Sequence, residues 1–349
     1  MSDEIAPKEP LRPETSSAAG APDDRPEDAA VDPGALLEAS REALARGDRM
    51  GSLARGREAL AAHQARLGGD HPDTAAAASH LARAGRSLGD FRGAADADRL
   101  AWTILRACRG DAHGDTARAL GDLSASLRGL GERDEALRLA EAALAGLVAF
   151  HGDDHLEVAS AWGNLSAIRR ERGEHEAARE AAERALELRR RRLGEHPDTA
   201  IALTNLGTIL AAAGDPTGAR EREREALAIR RAVLGDRHPE TLRSLAAIAT
   251  LSRGLGDLSG ALQSQREALA GQREALGEAS PEALESRRLC VYMLTRMGRG
   301  GEALRECEAA LAVAPAGGKV QQELRQLRQQ LQSTTPGRGR GKGKGKGRR

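Results

Sequence analysis

The sequence predicts an all-α chain built as a solenoid of about seven antiparallel helix hairpins, closed by one further helix. Three observations carry this. First, the segment LGEHPDTAIALTNLGTILAAAGD at Leu193–Asp215 returns in close form ending at Asp90 and again at Asp257. Second, aromatic residues make up 1% of the 349 residues and charged residues 30%. A single compact core would want more large apolar side chains, whereas an Ala/Leu/Arg/Glu-rich chain favours helix. Third, Leu203, Leu206 and Leu210 follow the i, i+3, i+7 spacing of one helix face.

Taking the His of the HPDT-like turn as an anchor measures the repeat. The anchor falls at His71, His113, His155, His196 and His238, with Ser280 in the sixth place, at steps of 42, 42, 41, 42 and 42 residues. Eighteen residues after each anchor stands a glycine: Gly89, Gly131, Gly173, Gly214, Gly256 and Gly298. Alanines recur five and twelve residues beyond that glycine, as in Ala219 and Ala226. Gly47 and Ala59, opened by Asp32-Pro33, fit a degenerate extra copy. The organisation expected is an acidic, disordered leader over 1–30, a solenoid over 31–315, a capping helix over 316–334 and a disordered basic tail over 335–349.

Each element has a local cause. Proline after the anchor suits the first helical position, where its missing N–H is no loss. The Asp or Glu that follows favours the positive end of the helix dipole. A first helix of about 16 residues then runs to the glycine, which suits a left-handed C-terminal position. Asp or Glu next to most of these glycines opens a second helix of about 18 residues, Asp being the better N-cap. That helix ends at another glycine such as Gly68, Gly110 or Gly235. A hairpin cannot bury its own apolar face, and stacked copies can. After the last unit, Val320, Leu324, Leu327 and Leu331 form one stripe with a polar opposite face, as a capping helix needs.

Charge and cysteines exclude several classes. The net charge is +1. Residues 1–30 hold eight acidic and three basic side chains, and residues 336–349 hold seven basic ones and no acid. The body between is near neutral and does not coat nucleic acid by charge alone. Cys108, Cys290 and Cys307 are far apart and form no CxxC, so neither a disulfide framework nor a zinc cluster is indicated. The first residues, MSDEIAPKEP, lack a signal-peptide pattern, and ALAGLVAF at Ala143–Phe150 is too short to span a bilayer. A reducing, cytoplasmic setting is the expectation.

The columns Leu206-Gly207, Gly214, Ala219 and Ala226, and again Leu165-Ser166, Gly173, Ala178 and Ala185, resemble the tetratricopeptide repeat, with Trp162 in its early aromatic place. The 42-residue period, LG-HPDT and NLG are similar to kinesin light chains and their many bacterial relatives. Most other aromatic columns of the family are Ala, Leu or Arg here. The resemblance implies a right-handed superhelix whose concave wall, made by the first helices, holds peptides.

On that wall, nine residues after the anchors stand His80, Asp122, Asn164 and Asn205. An asparagine amide both donates and accepts to an extended peptide backbone. Fifteen residues after the anchors stand Arg86, Arg128, Arg170 and Arg253, a ladder whose guanidinium groups suit the carboxylates of an acidic or C-terminal peptide. Arg83, Thr208 and Tyr292 occupy the twelfth place. Arginine outnumbers lysine 48 to 5, so a solvated arginine face is the competing reading of the ladder. The expected role is a non-catalytic scaffold or adaptor for a peptide or partner protein.

The alternative is association with nucleic acid or another anion through the tail, at Arg338, Arg340, Lys342, Lys344, Lys346, Arg348 and Arg349. With no aromatic residue interleaved for stacking, such binding would be salt-sensitive and blind to sequence. A remoter alternative is an enzyme or metal protein. HGDDH at His151–His155 brings two His and two Asp together, but His155 is the repeat anchor. The tail lysines do not fit a phosphate-binding loop, and no nucleophile elbow, HExxH or dinucleotide fingerprint occurs. No cofactor is expected.

Overall fold

The computed structural model describes residues 32–334, and over them the chain is helical throughout, without a strand. The helices are α1 (Pro33–Ala45), α2 (Arg49–Leu67), α3 (Pro72–Leu88), α4 (Phe91–Arg109), α5 (Gly114–Leu130), α6 (Arg133–His151), α7 (Leu156–Glu171), α8 (His175–Leu193), α9 (Pro197–Ala212), α10 (Pro216–Leu234), α11 (Pro239–Gly254), α12 (Leu258–Leu276), α13 (Pro281–Arg296), α14 (Gly300–Val313) and α15 (Lys319–Thr334). Each helix packs on the next, giving a solenoid of hairpins. Across hairpins, α1 also touches α3, α3 touches α5, α5 touches α7 and α7 touches α9, whereas second helices make no such extensive contact with one another. The odd-numbered helices of this stretch therefore form the tighter, inner wall.

The repeat anchor does more than precede a proline. In five copies the His side chain is itself the N-cap, its Nδ1 accepting the backbone N–H two residues on at 3.1–3.2 Å. Ser280 does the same work for α13 through Oγ. Second helices are capped by Asp48, Asp90, Asp215 and Asp257, while Glu132 and Glu174 make no side-chain cap bond. The shorter aspartate reaches the free N–H groups and the glutamate serves only the dipole.

The single 41-residue step has a visible consequence. Elsewhere the turn into the first helix has a glycine such as Gly235, with φ 86° and ψ 166°, whose carbonyl accepts from Thr241 Oγ1 at 2.8 Å. Thr74 and Thr116 make the same bond. The turn between α8 and α9 is one residue shorter, Gly194 has ψ −130°, and the buried hydroxyl of Thr199 has no partner.

The core is a row of small clusters instead of one centre. Alanines such as Ala101, Ala143, Ala178, Ala226 and Ala303 are fully or almost fully buried and let paired helices approach closely. Leu165, Ile168, Leu203 and Ile209 fill the spaces between hairpins. Leu324 and Leu331 of α15 are buried on the last hairpin, with Val320 and Leu327 beside them. The three cysteines are free, Cys290 and Cys307 buried and Cys108 exposed.

Candidate functional site

A cleft of about 540 Å³ opens on the inner wall between α5, α7 and α9. Its walls gather Asp122 and Arg128 from α5, Asn164 and Arg170 from α7, and Asn205 and Thr208 from α9. These six are the residues that the nine-, twelve- and fifteen-residue offsets single out, delivered to one place by three successive hairpins. Asn205 and Thr208 are exposed and Asn164 is half-buried. Among the described residues, no hydrogen bond engages the side-chain amide of Asn164 or Asn205, so both keep their donor and acceptor free. Thr208 Oγ1 donates to the Thr204 carbonyl at 3.0 Å and can still accept.

The arginine ladder is largely committed to the protein's own carboxylates. Arg86 contacts Asp98 at 2.5 Å, Ser126 Oγ at 3.0 Å and Asp122 at 3.4 Å, joining α3, α4 and α5. Burial pushes Asp98 up to about 7, against the pull of Arg86 and Ser126. Arg128 and Arg170 share one carboxylate, Glu171, at 2.6 and 3.5 Å. Arg253 lies over the ring of Tyr292 at 6.0 Å, away from the central cleft. The ladder therefore fastens hairpins to each other as much as it faces outwards.

His80 is buried inside the wall instead of lying on its surface, its Nε2 2.8 Å from Ser40 Oγ. Burial lowers its pKa, helped by Arg83 and Arg41. Arg83 is exposed and lines a second, smaller cleft of about 230 Å³ with His80, Arg41, Arg109 and Arg118.

One lining residue was not foreseen from the sequence. Arg189 of α8 reaches between α7 and α9, close enough that a Cβ on Gly163 would stand 3.8 Å from its Nη1. It is half-buried, and burial lowers its pKa, with Asp198 opposing from a distance. Its signal was an arginine in a column that holds Leu105 and Leu147 in earlier copies.

The His/Asp turn places His151, His155 and Glu157 with potential ligand atoms within 4.8 Å of one another. The arrangement does not fit one ion. The imidazoles stack with centroids 4.0 Å apart and planes 4° from parallel, so an ion in the plane of one ring lies outside the other. His155 Nδ1 already accepts the Glu157 N–H, which puts the neutral ring's proton on Nε2.

The tail residues Arg338, Arg340, Lys342, Lys344, Lys346, Arg348 and Arg349, and the acidic leader, lie outside the described residues. Among those described, no helix is long and apolar enough to cross a membrane.

A family model described as tetratricopeptide repeat matches residues 115–191, 157–232 and 198–274, the stretch that builds the central cleft. Residues 115–274 carry tetratricopeptide repeats. Solved structures share the fold at low identity. The nearly identical repeats of a Podosopora anserina protein described as a kinesin light chain align at 20% identity and a TM-score of 0.52, over 59% of this chain and 98% of that one. BtubC (BKLC) from P. vanneervenii aligns at 22% and 0.52, over 71% and 94%. The apo form of RapI aligns at 13% and 0.54, over 86% and 100%. No curated protein matches the sequence. In this tetratricopeptide array the columns that recur in every copy serve capping and packing, and the residues that differ between copies, Asn164, Asn205 and Arg189 among them, make the cleft distinctive.

Proposed function

We propose that this protein is a non-catalytic, cytoplasmic adaptor that holds an extended segment of a partner protein in the cleft between α5, α7 and α9. The observation that carries this reading is the meeting of Asn164 and Asn205 in one cleft with their amides unspent. Amides one repeat apart on neighbouring first helices suit a peptide backbone, which offers donors and acceptors at intervals along its length. Thr208 adds a hydroxyl, and Arg128 and Arg170, with one carboxylate between them, favour an acidic segment. Solenoids of this class present long inner surfaces of this kind. The basic-tail reading gains no support from any of the proteins compared.

The test is an affinity pull-down with the full chain and with the Asn164→Ala/Asn205→Ala double variant, followed by measurement of each recovered partner's binding to both. Partners of the cleft bind the double variant at least tenfold more weakly while its helicity and melting temperature stay unchanged. Partners held equally well by both proteins would remove the cleft from the account.

A further inference from the structure

We propose that Arg189 is the anion-recognising residue of the central cleft, and that it takes a side-chain or terminal carboxylate of the bound peptide. This deepens the adaptor reading and rests on it. The observation behind it is a comparison between two equivalent arginines of the same chain.

Arg189 and Arg230 occupy the same place in consecutive second helices, fourteen residues after the first residue of α8 and of α10. Arg230 is buried and paired: its Nη1 donates to Glu223 at 3.2 Å, to Thr204 Oγ1 at 3.1 Å and to Ser244 Oγ at 2.5 Å. One repeat earlier, the positions of those three partners are Ala182, Gly163 and Ala202. The three hydrogen-bonding partners of Arg230 are thus replaced around Arg189 by residues with no polar side chain; the counterpart of Glu240, which stands 3.9 Å from Arg230, is Asp198, and it acts on Arg189 only from beyond ion-pair contact. What remains among the described residues is Ser160 Oγ at 3.5 Å, the outer limit of a hydrogen bond, and no carboxylate in ion-pair contact.

A half-buried guanidinium with no carboxylate in contact is poorly compensated, and an anion entering the cleft supplies what is missing. The lowered pKa of Arg189 has the same origin. Arg189 and Gly163 line the same cleft as the free amides of Asn164 and Asn205, so one ligand can use Arg189 and both asparagines. A planar guanidinium matches a single carboxylate with two parallel bonds. No aromatic side chain lines the cleft for a nucleobase to stack on, and Asp122 at its edge repels a continuous phosphate backbone, so the geometry favours a peptide over a nucleic acid.

The experiment selects decapeptides from a random display library on the immobilised full chain. The best binder is then synthesised with each acidic position as Glu or Gln, and with a free or amidated C-terminus, for titration by fluorescence anisotropy. The expected result is about a tenfold preference for one carboxylate over its neutral counterpart in the parent protein. In Arg189→Gln that preference falls within twofold, while the melting temperature does not fall. Ala182→Glu, which restores the counter-ion that Arg230 has, removes the preference in the same way; if that variant does not fold, Arg189→Gln alone decides. A carboxylate preference that survives in Arg189→Gln overturns the assignment while leaving the cleft reading intact. Binders without any carboxylate preference overturn it too. Failure to select any peptide sinks the cleft reading and this inference together. A fluorescein-labelled (dT)10 oligonucleotide is titrated in parallel, and Arg189-dependent binding of it would reassign the site to phosphate and overturn the peptide assignment.

Discussion

Arg86 of α3 and Asp98 of α4 meet at 2.5 Å in a place where Asp98 is fully shielded from water, and Ser126 of α5 donates to the same carboxylate at 2.6 Å. This three-helix junction locks one hairpin to the next. It is also titratable, because burial raises Asp98 from an ordinary 3.8 to about 7. A raised carboxylate pKa means that the folded chain holds a proton which the unfolded chain releases between those two values. Stability from this group is therefore greatest below about pH 4, falls as pH rises towards 7, and is level above it. The upper bound of the fall is about 4 kcal/mol. Thermal unfolding of the parent and of Asp98→Asn at pH 4.5, 6, 8 and 9 tests this: the difference between them changes from pH 4.5 to 8 and is the same at 8 and 9. A constant difference at all four values contradicts it.

Glu223 and Arg230 form the corresponding link further along, both nearly inaccessible and 3.2 Å apart on α10. Removing only the acid leaves a buried guanidinium, so Glu223→Ala costs about 3 kcal/mol. The chain itself contains an apolar solution to the same place, Ala140 with Leu147 on α6. The double variant Glu223→Ala/Arg230→Leu therefore recovers most of the loss. Urea unfolding of parent, single and double variants measures this directly, and a double variant as weak as the single one would show that the pair is needed for more than charge balance.

The His caps make a third expectation. His196 accepts the Asp198 N–H at 3.1 Å, and Ser280 fills the equivalent place for α13. His196→Ala loses about 1 kcal/mol, in the usual range for an N-cap. His196→Ser loses clearly less. Chemical denaturation distinguishes the two, and equal losses would mean that the ring contributes through packing and not through its cap bond.

The architecture was legible in the sequence because what builds it recurs. The anchors, the glycines after each helix and the alanine columns repeat at fixed intervals, and each has a local cause that needs no knowledge of neighbours. Asn164, Asn205 and Thr208 were legible for the same reason, since a face can be counted along a helix. His80 was not: counting places it on the inner face, but only packing reveals that Ser40 claims its Nε2. The arginine ladder was visible as a column, while its carboxylates Asp98 and Glu171 come from other offsets and meet it only in three dimensions. Arg189 was hidden because it belongs to a second helix, and its meaning lies in three missing partners. The capping role of the His anchors was overlooked because histidine stands outside the usual set of N-cap residues.

The most direct test of the central claim is a crystal structure of the full chain with a peptide selected on it. The account predicts an extended peptide along the inner wall, its backbone within hydrogen-bond distance of Asn164 and Asn205. A peptide seated between second helices, beside Trp162 and Arg184 for example, or on the turns, would contradict it.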